Sequence, residues 1–425
     1  MKIIADFHVH SRFSRATSKD LTLPNMYKTA KLKGINILGT GDFTHPGWFS
    51  EIEIQLEEAE NGLFKLKNEW ASEMDKEIPE SCRDNSVRFW LTVEISNIYK
   101  RGGAVRRLHN VVVAPDLKTV AQINTKLAGL GNLHSDGRPI LGLDSEELLK
   151  IVMDINPMCM FIPAHIWTPW FAMFGSKSGF DSVEEAFGDN AGQIVAMETG
   201  LSASPQMCRE IGNLDNYALV SNSDAHSCAK LGREATVFDC DLSYKEIRDA
   251  LQKNDERLVG TIEFYPEEGK YHADGHAPCN FSCSHEETIK LEGRCPKCGG
   301  IITVGVLARV DELAKKHPPK EKIDRKKKVQ FIVPLMTIIS ESLGVKESSK
   351  KVEAMYWELT KACGSDFKML TEIDIKEIKD KGFERVAESI DRVRKGNIVV
   401  KPGYDGIFGV VKVWDDNTSG QGTLF

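Results

Sequence analysis

The sequence predicts an α/β protein built around a barrel of seven or eight strands, followed by a cysteine-rich module and a small helical domain. Three observations support this prediction. Short β-rich apolar runs alternate with helix-like stretches over residues 1–265. Metal-ligating residue types recur at the ends of these runs. The alternation stops near Phe264, where Gly, His and Cys dominate, and helical spacing returns after Val304.

Seven runs are predicted as strands: Lys2–Phe7, Ile35–Gly39, Val87–Val93, Val111–Ala114, Met158–Pro163, Ile194–Met197 and Ala218–Val220. Helical spacing between them covers Pro24–Lys33, Asp116–Leu127 and Ser145–Ile155. Strands that alternate with helices predict parallel strands covered by helices on the outside. Polar motifs at the ends of many different strands favour a barrel over an open sheet.

Length and composition fit a globular protein of two to three domains, with 425 residues, 41% hydrophobic and 28% charged. We predict a barrel at 1–265, a zinc-binding module at 266–305, a helical domain at 306–405 and a flexible tail at 406–425. The helices of the third part are expected at Val306–Lys316, Pro334–Leu343, Ser348–Cys363, Asp374–Lys381 and Phe383–Lys395.

No apolar run reaches the roughly 20 residues that a membrane span needs, and no signal peptide is recognisable at the start. We therefore expect a cytoplasmic protein without a membrane partner. We also expect it to be a monomer.

The net charge of −7 is unevenly distributed: residues 1–300 carry −11, whereas residues 301–401 carry +6 from 22 basic and 16 acidic side chains. The basic third permits nucleic-acid binding, which the bulk acidity would argue against.

Candidate metal ligands follow successive predicted strands. His8 and His10 are two residues apart in an extended run, so their side chains share one face and can bind one cation together. The same chemistry recurs along the chain at Asp42, Glu94, His109, His165, Asp224 and His226. Mixed imidazole and carboxylate ligands suit zinc, manganese or iron, and a carboxylate such as Glu94 can bridge two ions. Glu198 is either an orienting partner of a ligand or half of a buried ion pair.

The order of these motifs resembles that of the polymerase and histidinol phosphatase (PHP) family of metal-dependent phosphoesterases, over residues 1–260. The resemblance implies a distorted (β/α)7 barrel and a site for two or three divalent metals, zinc with manganese or magnesium as alternatives. It places catalysis at His8, His10, Glu94 and Asp224. Two positions depart from the family pattern. Asp42 stands where a histidine is usual, with His45 three residues on, and a further ligand position falls on Ala16, where Arg15 or Asp20 would have to serve instead.

A narrower resemblance rests on four segments, His10–Asp20, Gly39–Pro46, His165–Phe171 and Gly175–Phe180, which are similar to those of the endonuclease Q family of DNA repair enzymes. It extends over nearly the whole chain. It implies a nick on the 5′ side of a deaminated base (uracil, hypoxanthine or xanthine) or an abasic site, leaving 3′-hydroxyl and 5′-phosphate ends. The implied partner is double-stranded or single-stranded DNA.

An enzyme that selects deaminated bases is expected to flip the nucleotide into a pocket. Trp167, Trp170 and Phe171 follow His165 directly and are candidates to stack on the base, although a hydrophobic lid that also includes Phe174 is the alternative. Candidate contacts to DNA phosphates are Lys177, Arg12 and Arg15.

The cysteine module predicts one structural zinc ion. Its ligands are expected to be Cys279, Cys283, Cys295 and Cys298, since four thiolates in paired knuckles suit tetrahedral zinc. Cys283 has three nearby histidines as alternatives: His272, His276 and His285.

The C-terminal peptide, with Gln421, Leu424 and Phe425, resembles peptides that bind sliding clamps, in which Leu and Phe fill a hydrophobic cleft; an ordinary frayed terminus is the alternative. The leading functional hypothesis is a DNA lesion endonuclease. Its rivals are a phosphomonoesterase acting on a small metabolite and a non-catalytic scaffold that binds the clamp. The cysteine module, basic third and C-terminal peptide favour the endonuclease, because a small-molecule enzyme needs none of them.

Overall fold

The computed structural model describes residues 1–319 and 327–415. Its strands are β1 (Lys2–Asp6), β2 (Ile37–Gly39), β3 (Leu56–Glu58), β4 (Phe64–Leu66), β5 (Arg88–Arg101), β6 (Ala104–Ala114), β7 (Ile140–Leu141), β8 (Met160–Pro163), β9 (Ala196–Glu198), β10 (Ala218–Val220), β11 (Ala235–Asp239), β12 (Leu258–Glu263), β13 (Asp274–His276), β14 (Phe281–Cys283), β15 (Lys328–Phe331), β16 (Val399–Lys401) and β17 (Val410–Lys412).

The α-helices are α1 (Leu23–Lys33), α2 (Pro46–Gln55), α3 (Asn68–Asp75), α4 (Glu80–Arg83), α5 (Leu117–Ala128), α6 (Ser145–Ile155), α7 (Val183–Phe187), α8 (Pro205–Cys208), α9 (Tyr244–Lys253), α10 (His285–Lys290), α11 (Val306–Lys316), α12 (Leu335–Leu343), α13 (Lys350–Cys363), α14 (Ile375–Asp380) and α15 (Glu384–Arg394). Within the described ranges, none of the helices combines the length and the apolar character that crossing a membrane requires.

Local sequence explains where the helices begin and end. The side chain of Thr22 accepts a hydrogen bond from the backbone N–H of Asn25 at the start of α1, and Gly34 ends that helix with a φ of 84°. Asp116 caps α5 in the same way. These capping residues lie at the borders that the periodicity predicts, so α1, α5 and α6 agree closely with the three predicted helices. The helices α2, α3, α4, α7, α8 and α9 were not predicted.

The central sheet is mixed. β1, β2 and β5 are parallel neighbours, as the alternation predicts. β5 and β6 instead form a long antiparallel hairpin, and β8 lies antiparallel to β6. The prediction of uniformly parallel strands is therefore wrong here. Only Gly102 and Gly103 separate β5 from β6, which is too short for the crossover that a parallel pair needs.

Further contacts link the two-stranded sheet of β9 and β10 to the central sheet. β9 and β10 are parallel, and the N–H of Val195 beside β9 donates to the carbonyl of Phe161 in β8 at 3.3 Å. Val9 and Ala225, which follow β1 and β10, form an isolated parallel bridge. The segments after β8, β9 and β10 are thereby brought next to the segment after β1.

Large apolar side chains fill the centre. The rings of Phe7 and Trp90 lie 5.1 Å apart and those of Phe7 and Phe238 lie 6.4 Å apart, and all three side chains are fully buried. This part of the interior is therefore a packed apolar core.

The C-terminal part of the chain is tied to the central sheet. β15 pairs in parallel with β12, in a register that runs from Gly260 with Lys328 to Glu263 with Phe331. Helix α13 lies near α4, where the hydroxyl of Ser81 donates to the carbonyl of Thr360 at 2.6 Å. β13 with β14 and β16 with β17 form two separate hairpins. The division into three domains and a tail remains a prediction.

Candidate active site

The first group of donor atoms lies where β1, β5 and β10 meet. His8, His10, Glu94 and Asp224 place one ligand atom each within 4.8 Å of the others. The Nε2 atom of His10 lies 3.1 Å from Oδ1 of Asp224 and 3.2 Å from Oε2 of Glu94. The three residues His8, His10 and Glu94 are at most 1% exposed, whereas the carboxylate of Asp224 is 26% exposed. Solvent therefore reaches the group from the side of Asp224.

The second group shares Glu94 with the first. It contains the buried residues Glu94 and His109 together with His165, whose side chain is 12% exposed and whose Nε2 atom lies 3.1 Å from Oε1 of Glu94. Oε2 of the same carboxylate faces His8 and His10. Each oxygen of Glu94 thus belongs to a different group, which is the arrangement of a bridging carboxylate.

The charges in the two groups depend on one another. Burial lowers the pKa of His8, but the carboxylates of Glu198, Glu94 and Asp224 raise it well above its ordinary value. Burial raises the pKa of Glu94, but His109, Arg138 and His8 hold it well below its ordinary value. Burial lowers the pKa of His109 to about 4. The lowered pKa of Glu94 keeps its carboxylate ionised and the lowered pKa of His109 keeps its imidazole neutral, which are the forms that bind a metal.

The donor set fits divalent cations. The Nε2 atom of His8 is buried without a hydrogen-bond partner, 3.5 Å from Oε2 of Glu94 and 3.6 Å from Oδ1 of Asp224. A buried nitrogen without a partner is costly, and a cation at this point would satisfy it. Imidazole nitrogens mixed with carboxylate oxygens suit zinc, manganese or iron.

Two of the eight predicted ligands lie beside these groups. The carboxylate of Asp42 accepts hydrogen bonds from the backbone and side chain of Ser11 and from the hydroxyl of Ser14, and its Oδ1 lies 3.2 Å from Nδ1 of His10. The Nδ1 atom of His226 lies 2.9 Å from the backbone oxygen of Asp224. Asp42 therefore orients His10, and His226 contacts the backbone of Asp224.

Backbone strain marks the same positions. Asp42, His165 and Asp224 have positive φ angles of 49°, 27° and 46°. Residues other than glycine adopt such angles at a cost, and strained residues cluster at functional sites. The strain therefore agrees with a functional role for these three residues.

Two further residues act on the site. Glu198, at the end of β9, contacts His8. Of its two predicted roles, this contact favours the one in which Glu198 orients a residue of the site.

Arg138 was not predicted from the sequence, and its Nη1 atom lies 3.0 Å from Oε2 of Glu94. It stands in the irregular segment between α5 and β7, where no periodicity marks it. The only signal is the polar run Ser135-Asp-Gly-Arg138.

The aromatic residues after His165 separate into two kinds. Trp167 is 1% exposed, packs on Phe174 with ring centroids 5.2 Å apart, and its Nε1–H donates to the sulphur of Cys208. Trp170 is 43% exposed, and the half-buried ring of Phe171 lies 4.8 Å from the ring of His109. Trp167 is therefore a core residue that supports the loop, contrary to the predicted base contact, whereas Trp170 and Phe171 remain candidates.

The predicted phosphate contacts lie on exposed loops. Lys177 is exposed on the loop after His165. The guanidinium of Arg15 is 73% exposed and 3.5 Å from Asp136, and that of Arg12 is 38% exposed and paired with Glu51. Both arginines follow His10 closely in sequence, so they remain candidates for a contact with DNA near the two groups.

The cysteine module gathers one histidine and three cysteines. His276, Cys279, Cys295 and Cys298 bring one ligand atom each within 4.8 Å of the others. The structure departs from the predicted set at Cys283, whose sulphur instead lies 3.3 Å from Oγ1 of Thr288.

The register of the β13–β14 hairpin explains this departure. His276 pairs with Phe281 beside the turn, whereas Cys283 pairs with Asp274, two residues and about 7 Å further along the strand. The sequence did carry the signal, because His276 and Cys279 have the same two-residue spacing as Cys295 and Cys298.

The donor chemistry of the module also fits zinc. Burial raises the pKa of the Cys295 thiol, but hydrogen bonds from the backbone N–H groups of Lys297 and Cys298 lower it below its ordinary value. Such backbone donors stabilise the thiolate, which is the form that binds metal. The clamp-like residues Gln421, Leu424 and Phe425 lie outside the described residues.

Sequence comparisons find proteins that are similar to this chain. Residues 334–397 match a family model described as the MJ0043 C-terminal domain. MJ0043 of Methanocaldococcus jannaschii, an uncharacterized protein, is 32% identical over 260 residues, which cover 58% of this chain but 31% of that protein. YqxK of Bacillus subtilis, also uncharacterized, is 29% identical over 97% of this chain and 99% of its own length.

Two solved structures share the fold over almost their whole length. The lesion-specific endonuclease PfuEndoQ from Pyrococcus furiosus is 31% identical, with a TM-score of 0.82 over 97% of this chain and 95% of the other. An endonuclease Q in complex with a 27-mer duplex substrate, with an abasic lesion at its active site, is 30% identical, with a TM-score of 0.81 over 98% of each chain. This identity and coverage show that the chain belongs to the endonuclease Q family of enzymes.

Proposed function

We propose that this protein is a DNA repair endonuclease that hydrolyses the phosphodiester on the 5′ side of a deaminated base (uracil, hypoxanthine or xanthine) or an abasic site. The observation that carries the proposal is the position of Glu94, whose two oxygens face two buried donor groups in the fold of a lesion-specific endonuclease. Support for a DNA substrate comes from the relative whose structure holds duplex DNA with an abasic lesion.

The residues of the two groups have distinct roles in the proposed reaction. Divalent cations held there would supply hydroxide near neutral pH and offset the charge on the attacked phosphate. His8, His10 and Asp224 form one side of the site, His109 and His165 form the other, and Glu94 fixes the spacing between them. As the water oxygen bonds to phosphorus, the bond to O3′ breaks, leaving a 3′-hydroxyl and a 5′-phosphate. We assign acceptance of the water proton to Asp224, whose carboxylate is the most exposed of the first group.

Lesion recognition is assigned to the loop after His165. A flipped base needs a flat partner, and the exposed Trp170 and the half-buried Phe171 lie on the loop that covers the second group. Lys177, Arg12 and Arg15 supply exposed positive charge for the DNA backbone on either side.

The remaining parts of the chain fit the same function. The fold of residues 1–265 is assigned as a PHP barrel, supported by the contacts that link β9 to β8 and the segment after β10 to the segment after β1. One structural zinc in the cysteine module and a basic helical domain for the DNA backbone complete the architecture. The C-terminal peptide is assigned to a sliding clamp, and the protein to the cytoplasm, where it would act as a monomer on DNA.

The decisive experiment is incubation with a labelled duplex that carries a single uracil or hypoxanthine, with and without Mg²⁺, Mn²⁺ or Zn²⁺. A metal-dependent nick 5′ to the lesion, absent from the undamaged duplex, is expected. His8→Ala and Asp224→Ala should abolish cleavage and keep lesion binding. Hydrolysis of small phosphate esters without any nicking of DNA would contradict the proposal and indicate a phosphomonoesterase.

A further inference from the structure

Arg138 is held over the first donor group by two neighbouring segments. The carboxylate of Asp136 accepts hydrogen bonds from the backbone N–H groups of Arg15 and Arg138, both at 3.2 Å. On the other side, the carbonyl of Pro139 accepts a hydrogen bond from the N–H of Ser96, two residues beyond Glu94 in β5. The backbone of Arg138 is therefore fixed both to the loop after His10 and to the strand that carries the shared carboxylate.

Close packing keeps this segment in place. The N–H of Gly137 donates to the carbonyl of Phe13 at 3.0 Å. A Cβ atom at Gly137 would lie 2.3 Å from Oδ2 of Asp42 and 2.6 Å from Oγ of Ser14. Only glycine allows the chain to pass so close to Asp42, and this approach puts the next residue, Arg138, beside the site.

The guanidinium of Arg138 is only partly used by the protein. Its Nη1 atom lies 3.0 Å from Oε2 of Glu94, on the side of Glu94 that faces His8 and His10. Among the residues that the structure describes, Glu94 is the ion-pair partner of Arg138. The side chain remains 28% exposed, and none of its nitrogens is buried without a partner. A guanidinium carries five N–H donors, more than the contact with Glu94 uses, and the partial exposure of the side chain leaves it accessible to a ligand.

The guanidinium of Arg138 is a positive charge next to a site that is itself proposed to hold cations. A fixed positive charge next to a site for divalent cations repels them unless an anion stands between. The carboxylate of Glu94 compensates in part, and its charge raises the pKa of Arg138. A substrate phosphate bound at the same site would compensate further, and its oxygens match the donors of the guanidinium.

We infer that Arg138 is a catalytic residue that contacts the phosphate to be cleaved and stabilises the charge that develops on it during hydrolysis. This inference rests on the proposed function and names a substrate contact within that site. A direct contact of this kind acts on the reaction, whereas a residue that only orients Glu94 would act through metal binding. The two roles are separated by measuring both.

The test compares Arg138→Met, Arg138→Lys and Arg88→Met. Arg88 is the matched control, because it is also paired with a glutamate, Glu60. It is the first residue of β5 and lies about 20 Å from Glu94 along the strand. Arg138→Met should reduce the single-turnover nicking rate on a uracil duplex roughly 10²- to 10³-fold. Its affinity for Mn²⁺ alone, measured by calorimetry, should be equal to or tighter than that of the unmodified protein. Arg138→Lys should recover part of the rate, and Arg88→Met should change neither quantity.

Two results would overturn the inference: loss of Mn²⁺ affinity in parallel with the rate, which would make Arg138 a positioning residue for Glu94, or an unchanged rate in Arg138→Met. Hydrolysis of bis(4-nitrophenyl) phosphate is measured alongside to keep the two proposals separate. If the unmodified protein hydrolyses this ester but nicks no lesion duplex, the proposed substrate is wrong. The same fall in rate on the ester for Arg138→Met, with Mn²⁺ affinity retained, would then still support the phosphate contact.

Discussion

The Nδ1 atom of His8 lies 2.9 Å from Oε2 of Glu198, and both side chains are 1% exposed. Oε2 of Glu198 also accepts the backbone N–H of His165 at 2.7 Å, and Oε1 accepts the side-chain amide of Asn222 at 2.8 Å. With Nδ1 occupied in this way, His8 presents Nε2 to the first donor group. One buried carboxylate thus orients a side chain of the first group and the backbone of a residue of the second.

Glu198→Gln should weaken metal binding roughly 10- to 100-fold, because an amide cannot supply the charge that orients His8 and strengthens it as a ligand. Calorimetric titration with Mn²⁺ measures the affinity, and the nicking rate at saturating Mn²⁺ measures what remains of catalysis. Glu58→Gln, at an exposed position in β3, is the control. Unchanged Mn²⁺ affinity together with a lower melting temperature would assign Glu198 a purely structural role.

Trp170 and Trp167 should respond oppositely to truncation. Trp170→Ala removes an exposed ring and should weaken binding of a uracil duplex by about 1–3 kcal/mol without changing the melting temperature. Trp167→Ala removes a buried ring and should cost about 3–5 kcal/mol of unfolding free energy. Fluorescence anisotropy and urea unfolding measure the two effects. If Trp170→Ala bound the lesion duplex normally, the base contact would have to be sought elsewhere.

His276→Ala should release the zinc of the cysteine module, whereas Cys283→Ala should retain it, because His276 and not Cys283 lies with the other three donors. Metal content per chain, measured by mass spectrometry after purification, distinguishes the two variants. Loss of zinc should also expose residues 270–305 to protease, since a module of this size has little core without its metal. The opposite pattern, with zinc lost only in Cys283→Ala, would restore the four-cysteine set.

Stability should fall between about pH 4.5 and pH 7 because of a buried carboxyl pair. Burial raises the pKa of Glu263 to about 7, and burial together with Glu263 raises that of Glu234 well above its ordinary value. The folded protein keeps protons that the unfolded chain releases above about pH 4.5, so each unit of pKa difference removes about 1.4 kcal/mol as the pH rises. Urea unfolding from pH 5 to pH 8 should show a flatter profile for Glu263→Gln. A profile parallel to that of the unmodified protein would exclude the pair as the cause.

Deletion of residues 421–425 should abolish capture by a sliding clamp and leave nicking of a short duplex intact, because the peptide lies at the end of the chain, away from the proposed catalytic residues in the sequence. A pull-down with purified clamp and the nicking assay measure the two effects on the same preparation. Loss of both activities would refute the assignment of this peptide to clamp binding.

The sequence predicted the first strands, the helices α1, α5 and α6, and all six residues of the two donor groups, because helix caps and metal-ligating residue types are visible locally. It placed His109 before a strand that in fact begins at Ala104, since the polar stretch preceding Val111 does not alternate clearly. The β5–β6 hairpin depends on pairing between the strands, which periodicity within each one does not reveal.

The parts of the site that were missed depend on tertiary contacts. Arg138 forms a salt bridge to Glu94, 44 residues earlier, and no local pattern in the sequence predicts this contact. His276, not Cys283, lies with the other three donors because of the register of the β13–β14 hairpin, whose strands have three residues each. In both cases the residue type was visible in the sequence, but its partner was decided by how distant segments pack.

The pairing of β15 with β12 determines where this chain can be divided. A Cβ atom at Gly260 would lie 1.8 Å from the carbonyl oxygen of Lys328, so the two strands meet at a point that accepts no side chain. A shortened protein that stops before Lys328 would leave β12 as an open edge that invites aggregation. Chimaeras that exchange the C-terminal helices between relatives should therefore be joined after Phe331, and they should keep glycine at position 260.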